Sequence, residues 1–91
     1  MIKSFRSKDT QALFEGQSPH RFQAIASVAE RKLQMLDSAR GIEDLRSPPG
    51  NRLEALKGNR QGQWSIRVND QWRVCFRFES GEALVEMVDY N

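Results

Sequence analysis

The chain has 91 residues, a formal net charge of +2, and a composition of 38% hydrophobic and 29% charged residues. A chain of this length supports one hydrophobic core, so we expect a single domain over residues 1–91 that is globular rather than disordered. With one cysteine and one histidine in the sequence, an internal disulfide is excluded and a zinc cluster is not expected, so we predict no metal and no other cofactor.

The beginning of the chain predicts a short strand and a short helix. Residues 1–6 lack the apolar segment of a signal peptide, and no apolar run approaches the ~20 residues of a membrane span, which predicts a cytoplasmic protein. Ile2–Phe5 is a candidate edge strand. Asp9 or Thr10 can then cap a short helix that ends at Gly16.

A longer helix is predicted next. Ser18 and Pro19 are typical of an N-cap and a first-turn proline, and apolar residues then recur at spacings of three and four as far as about Ala39. Gly41 is expected to close this helix. Because prolines fix the backbone and remove donors, Leu45–Asn51 is expected to be an irregular connector.

The C-terminal half has the period of two that is typical of strands with one buried face. The alternation predicts strands over residues 64–68, 72–78 and 83–90, and the last is apolar enough to be a central strand. The order of elements is therefore β-α-α-β-β-β-β or close to it. This order predicts an α+β domain with two helices packed on one face of a curved, mostly antiparallel sheet of four to five strands.

The strand register brings two arginines together. If Asn69–Gln71 is a three-residue hairpin loop, apolar residues match across the strands. The pairs are Val68 with Trp72, Ile66 with Val74, and Trp64 with Phe76. The same register places Arg67 opposite Arg73, and because like charges directly opposite are destabilising, we interpret the pair as presented to a polyanion. The alternative is that Glu54 or Glu86 neutralises it.

The last hairpin is predicted to bring the chain end to these arginines. A turn at residues 79–82 pairs Phe78 with Ala83, Phe76 with Val85, and Val74 with Met87. Tyr90 then lies on the face of Arg73, whereas Asp89 points to the other face or lies at the fraying end. Lys57 is a candidate for the rim of this site, the alternative being an exposed lysine at a strand end.

The basic residues are concentrated in one segment of the sequence. Residues 46–77 hold seven basic and two acidic side chains, and arginines outnumber lysines in the chain by ten to four. The planar fork of arginine suits phosphates, although a solvated charged surface is the alternative interpretation. Further candidates for RNA binding are Arg52, Arg60 and Arg77.

Such a set of residues has a chemical use. RNA is cut without a metal when the 2′-hydroxyl attacks the adjacent phosphorus, provided that the phosphate is held, its added negative charge is stabilised and protons are moved. Arginine and lysine supply the electrostatic contribution, and tyrosine, glutamate or aspartate can transfer protons or stack on a base. The lone His20 is far in sequence from these residues.

Several segments carry a family resemblance. These are NRLEALKG at residues 51–58, GQWSIRVNDQWRVCF at 62–76, VDY at 88–90, and the shorter matches at 1–5 and 33–37. They resemble the host-inhibition-of-growth (HigB) toxins of the RelE-like superfamily. The resemblance implies a compact microbial-ribonuclease-like fold, cleavage of mRNA in the ribosomal A site, a HigA-like helix-turn-helix antitoxin, and operator DNA bound through that antitoxin.

The resemblance also implies site residues. The family's sites fall on Lys57, Arg73, Asp89, Tyr90 and Asn91. Some relatives have a histidine where this chain has Glu54, and the family usually ends in histidine where this chain has Asn91, so the site has no histidine and a weakened nuclease is expected. The alternatives are a toxin that acts by binding alone, through a ribosome block or ParE-like gyrase inhibition, and a generic RNA-binding module.

Overall fold

The computed structural model describes residues 1–89. The strands are β1 (Ile2–Phe5), β2 (Glu54–Ala55), β3 (Trp64–Arg67), β4 (Trp72–Glu79) and β5 (Glu82–Asp89), and the α-helices are α1 (Lys8–Phe14) and α2 (Ala26–Ser38). Four 3₁₀ helices span His20–Ile25, Ile42–Leu45, Pro49–Asn51 and Gly58–Arg60. This order confirms the predicted α+β arrangement. Within residues 1–89, no helix has the length and apolar character needed to cross a membrane.

The five strands form one mixed sheet in the order β1-β5-β4-β3-β2. β1 runs parallel to β5 and every other pair is antiparallel, so the last strand has neighbours on both sides, as its apolar sequence predicts. The predicted register is confirmed, with Ile66 opposite Val74 and Arg67 opposite Arg73. In the last hairpin, Phe78 pairs with Ala83, Phe76 with Val85, and Val74 with Met87.

Two tight turns set this register. In the β3–β4 loop, the Asn69 side-chain oxygen accepts hydrogen bonds from the main-chain nitrogens of Gln71 (2.9 Å) and Trp72 (2.7 Å). The β4–β5 turn has positive φ angles at Ser80 (52°) and Gly81 (77°), as in the type I′ turns that fit the twist of a hairpin. A one-residue slip at either turn would move every apolar side chain to the opposite face of the sheet.

The hydrophobic core lies between the helices and one face of the sheet. Its fully buried members include Leu13, Leu33 and Leu36 from the helices and Ile66, Val74 and Phe76 from the strands. The rings of Phe22 and Trp72 meet edge to face at 4.9 Å. Within residues 1–89, α1 and α2 both contribute to this core and so lie on the same side of the sheet.

The helix starts differ from the predicted ones. The cap of α1 is Ser7, whose hydroxyl accepts a hydrogen bond from the Thr10 nitrogen, so the prediction of Asp9 or Thr10 was wrong by two or three residues. Ser18 is not an N-cap, because Pro19 precedes a 3₁₀ helix. The Phe22 nitrogen bonds the Pro19 carbonyl in an i→i+3 turn, and the regular α-helix begins only afterwards.

The end of α2 also differs in detail. The helix stops at Ser38 with Ala39 as its cap in an extended conformation, so the position of its end was predicted well. Gly41 does not close it. This glycine precedes the next 3₁₀ helix with φ at −165°, an extended backbone that any residue adopts.

The connector after α2 is organised by a buried amide. Asn51 is fully buried, and its Nδ2 atom donates to the main-chain oxygens of Leu45 (3.1 Å) and Ser47 (3.4 Å). Its Oδ1 atom accepts a hydrogen bond from the ammonium of Lys32. The pKa of Lys32 is lowered, mainly because burial disfavours its charged form and secondarily because cations lie near it. The connector is thereby fixed against α2.

Candidate nucleic-acid interface

The sheet face opposite the helices, here called the open face, gathers the chemistry-bearing side chains. Strand alternation places on it Ser65, Arg67, Arg73, Cys75, Arg77, Leu84, Glu86 and Val88. Glu54 joins this set because it lies opposite Ser65. Three arginines thus project from two adjacent strands onto one surface, as the register predicts.

Arg73 is held in a fixed orientation on the open face. Its Nε atom donates to the Ser65 hydroxyl at 2.7 Å, and its Nη2 atom donates to the Arg52 main-chain oxygen at 2.6 Å and to the Ser65 main-chain oxygen at 3.4 Å. Ser65 is itself fully buried. These bonds span β3 and fix the plane of the guanidinium, which is the preorganisation that charge stabilisation requires.

The main-chain oxygen of Arg52 reaches Arg73 because of an unusual turn. Arg52 has φ 45° and ψ 55°, the left-handed conformation that residues other than glycine adopt rarely. It follows directly on the buried Asn51. The connector therefore acts as a support for the arginine of the sheet.

Arg67 lies opposite Arg73 and forms an ion pair with Asp70 in the hairpin loop. From the sequence, Glu54 or Glu86 was the alternative partner for the arginine pair. The structure instead gives Arg67 an acid from its own hairpin. The Asp70 side chain is 98% exposed, and an ion pair so exposed to water contributes little, so the cationic character of this part of the face is retained.

The remaining predicted catalytic residues occupy different places. Glu54 lies on the open face in β2, which β3 separates from the strand of Arg73. Lys57 is exposed and precedes the 3₁₀ helix at Gly58–Arg60. Asp89 pairs with Trp72 at the end of β5 and accepts a hydrogen bond from Gln71 Nε2 at 3.0 Å. As predicted, strand alternation turns Asp89 away from the open face.

Two predicted site residues are not covered by the structure. Tyr90 and Asn91 lie outside the described residues 1–89. The strand that leads to them pairs Val88 with Arg73. The placement of Tyr90 beside Arg73 remains a prediction from strand alternation.

A groove of about 390 Å³ opens on the same face, further along β4 from Arg73. Its lining includes Arg6, Gln63, Arg77 and Glu86. The Glu86 carboxylate forms ion pairs with Arg60 (3.2 Å) and Arg6 (3.8 Å). Of the residues predicted to bind RNA, Arg77 lines the groove, Arg60 contacts it through Glu86, Arg67 lies beside Arg73, and Arg52 is exposed in the connector.

Several contributors to this surface were not predicted from the sequence. Ser65 could have been found, because the register that places Arg73 on the open face also places Ser65 there. Arg6 lies in the first ten residues, and only the parallel pairing of β1 with β5 brings it to the groove. The main-chain contact from Arg52 depends on a backbone conformation that the sequence does not signal.

Known proteins that resemble this chain belong to one class of protein. A family model described as "RelE-like toxin of type II toxin-antitoxin system HigB" matches residues 3–91. The chain is 42% identical over 91 residues to Toxin HigB-1 of Vibrio cholerae serotype O1, covering 98% of this chain and 96% of that relative. It is 39% identical over 94 residues to Endoribonuclease HigB of Proteus vulgaris, covering 100% of both chains.

The fold has solved counterparts. The chain is similar to a chain of a YoeB-YefM complex from Staphylococcus aureus, with a TM-score of 0.65 and 15% sequence identity over 100% of this chain and 98% of that one. A second structure, a heterotetrameric YoeB-YefM toxin-antitoxin complex from the same organism, matches with a TM-score of 0.63 and 17% identity. At these identities the likeness establishes the fold alone.

The family match defines the class, the RelE-like toxins of type II toxin-antitoxin systems. Within that class, the chain belongs to the HigB-like family, which confirms the resemblance found in the sequence. Because the chain belongs to a toxin-antitoxin family, its partner is an antitoxin.

Proposed function

We propose that this toxin is an endoribonuclease that cuts mRNA in the ribosomal A site and so inhibits translation and growth, without a metal ion. The observation that carries the proposal is the oriented Arg73 guanidinium beside Arg67 on the cationic open face of the sheet. Support also comes from the full-length likeness to a relative named Endoribonuclease HigB. A surface of this kind attracts a phosphodiester and stabilises added negative charge on it.

The reaction we propose is an internal transfer within the RNA. The 2′-oxygen forms a bond to the adjacent phosphorus while the bond from phosphorus to the 5′-oxygen breaks. The 2′-hydroxyl proton passes to a base, and the leaving 5′-oxygen receives a proton from an acid. The products are a cyclic 2′,3′-phosphate and a free 5′-hydroxyl.

The residues are assigned by position and chemistry. Arg73 holds the phosphate and stabilises the charge that develops on its oxygens. Glu54, on the open face next to Ser65, is placed to accept the 2′-hydroxyl proton. Lys57, at the rim of the open face, is assigned to assist in proton movement. Asp89 lies at the end of β5 with its side chain turned away from that face, so it is assigned only an indirect part in proton movement. Asn91 is assigned to position a hydroxyl, as an amide can.

Binding of the RNA strand is distributed over the remaining basic residues. We assign to phosphate contacts Arg52, Arg60, Arg67 and Arg77. Tyr90 is assigned to stacking on a base or to orienting the phosphate. Because these contacts are to phosphates, the affinity for ribosomes is expected to fall steeply with salt.

The proposed partners follow from this function. In the cytoplasm, the toxin acts on ribosome-bound mRNA, and a HigA-like helix-turn-helix antitoxin neutralises it by covering the open face or by adding bulk that blocks entry to the ribosome. The complex is proposed to contact operator DNA through the antitoxin.

The test is a map of RNA ends in cells that express the toxin without its antitoxin. New 5′-hydroxyl ends within coding sequences, absent in cells that express Arg73→Ala, are expected. Purified toxin that has been treated with EDTA and freed of the chelator should then cut mRNA on ribosomes at a rate that does not depend on magnesium concentration over the range that keeps ribosomes intact. Growth arrest without new ends would contradict the nuclease proposal, and DNA damage in its place would indicate a gyrase inhibitor.

A further inference from the structure

The groove on the open face is built around a carboxylate that two guanidinium groups share. The Oε1 atom of Glu86 lies 3.2 Å from Nη1 of Arg60, and its Oε2 atom lies 3.8 Å from Nε of Arg6. Gln63 helps to place Arg60, because its Oε1 atom accepts a hydrogen bond of 3.1 Å from Arg60 Nη1. Two guanidinium groups converging on two oxygens is also the arrangement that binds a phosphate.

A third cation lines the groove. Arg77 lies on the open face four residues after Arg73 in β4, which corresponds to roughly 13 Å along a strand. The groove and the Arg73 site are therefore neighbouring places on one surface that an extended RNA strand can follow. One carboxylate faces three arginines there, so the groove keeps a positive balance.

The ion pairs of Glu86 are weak enough to exchange. The side chains of Arg6, Arg60 and Glu86 are 74%, 34% and 27% exposed, so water reaches both ion pairs, and ion pairs that water screens contribute little to stability. A phosphodiester carries the same charge as a carboxylate and offers two oxygens to the same donors. Replacing the carboxylate by a phosphate is therefore nearly balanced in energy.

We propose that this groove is a second phosphate-binding site for the RNA strand, in which Glu86 occupies the place of the phosphate in the free protein and gives way to it on binding. The inference rests on the proposed function in one respect, that the open face binds RNA. It adds a site held by Arg6, Arg60 and Arg77, distinct from the place where the strand is cut.

The test measures RNA binding apart from cleavage. A fluorescent single-stranded RNA with 2′-O-methyl groups, which lacks the attacking hydroxyl, is titrated with each purified protein at several salt concentrations. Glu86→Gln should tighten binding about 2- to 5-fold, the effect of releasing one partly exposed ion pair. Arg6→Ala should weaken binding and reduce the slope of log affinity against log salt by about 0.7, the value for one phosphate on a single strand.

Two control variants carry the same changes in charge. Glu82→Gln removes a carboxylate from the same strand and face, four residues from Glu86. Arg31→Ala removes an exposed arginine from α2, on the helical side of the molecule. Both controls are expected to shift the affinity clearly less than their counterparts.

Each outcome decides the proposal. Unchanged or weaker binding by Glu86→Gln would overturn it, because Glu86 would then have only a structural role. An equal gain in affinity from Glu82→Gln would also overturn it, because the gain would then come from overall charge. If Glu86→Gln lowers the Tm of the protein, the test is the slope of log affinity against log salt for Arg6→Ala, since this exposed side chain can be removed without disturbing the core. Absence of cleavage on ribosomes by every protein would refute the nuclease and leave the binding result intact.

A final comparison distinguishes the source of the phosphate. Binding is repeated on ribosomes whose mRNA ends at the P-site codon and on ribosomes whose mRNA extends through the A site. An effect of Glu86→Gln that requires the longer mRNA assigns the phosphate to mRNA, and one seen with both assigns it to ribosomal RNA. Either result supports the phosphate site, and no effect on either ribosome overturns it.

Discussion

The Nη2 atom of Arg73 donates a 2.6 Å hydrogen bond to the main-chain oxygen of Arg52, so the backbone of the connector positions the guanidinium of the sheet. The Arg52 side chain takes no part in this contact. Arg52→Gly keeps the carbonyl and suits the left-handed backbone at φ 45°, because glycine adopts positive φ without strain. We predict an unchanged kcat for this variant and a KM raised by the loss of one cation.

Ser65→Ala supplies the contrasting result. It removes the hydroxyl that accepts the Arg73 Nε hydrogen bond but keeps Arg73 itself, so the guanidinium is less well held. We predict a kcat lowered by up to about 10²-fold, since small displacements of a positioned group have effects of this size. Single-turnover cleavage on ribosomes separates the two variants. Equal kcat values for Ser65→Ala and the parent protein would contradict a positioning role for Ser65.

Gly62 is required next to the groove. Its φ is +92°, and a Cβ atom there would lie 2.8 Å from Nη1 of Arg77. We predict that Gly62→Ala lowers the free energy of unfolding by about 1–2 kcal/mol, because a non-glycine residue is strained at this φ, and that it shifts Arg77 and weakens RNA binding. Urea unfolding and the RNA titration measure both effects.

Gly50→Ala is the matched control, since nothing lies within 4 Å of a Cβ atom at that position. It is expected to leave both the stability and the RNA affinity close to those of the parent protein. If the two variants behave alike, the close approach of Gly62 to Arg77 has no consequence for the fold or for binding.

Asn51 is predicted to stabilise the connector that supports the site. Asn51→Ala leaves the Leu45 and Ser47 oxygens and the Lys32 ammonium without their amide partner in a buried place. We expect a loss of about 2–3 kcal/mol in the free energy of unfolding, the cost of unsatisfied buried groups. Asn59→Ala, at an exposed position of a 3₁₀ helix, is the control and should change stability by less than about 0.5 kcal/mol.

The sequence predicted the sheet better than the connections. Alternation and apolar matching determine the register of Arg67 against Arg73, because a slip would expose the core face. The cap at Ser7 was missed because Ser7, Asp9 and Thr10 all have side chains suited to capping. The contacts of Arg6 and of the Arg52 backbone depend on chain segments that meet only in the folded protein, and local sequence patterns carry no signal for such contacts.

The last prediction concerns Asn91, which lies outside the described residues and stands at the position where the family resemblance implies a histidine. Histidine has an unperturbed pKa near 6.5 and can accept and return a proton at neutral pH, whereas an amide can only position a hydroxyl or a phosphate oxygen. Asn91→His is therefore expected to raise single-turnover cleavage on ribosomes, by up to the ~10² to 10⁴-fold that a positioned acid or base contributes.

The gain should depend on Glu54, the carboxylate that β2 places on the open face beside Ser65. If Glu54 already accepts the proton, the histidine is redundant and the gain is small in the parent protein but large in Glu54→Gln. Measuring Asn91→His with and without Glu54→Gln therefore assigns the proton carrier, with Asn91→Gln as the control that keeps an amide. Equal rates for Asn91→His and its parent in both backgrounds would show that the last side chain carries no proton, and would assign proton transfer to Glu54, Lys57 and Tyr90.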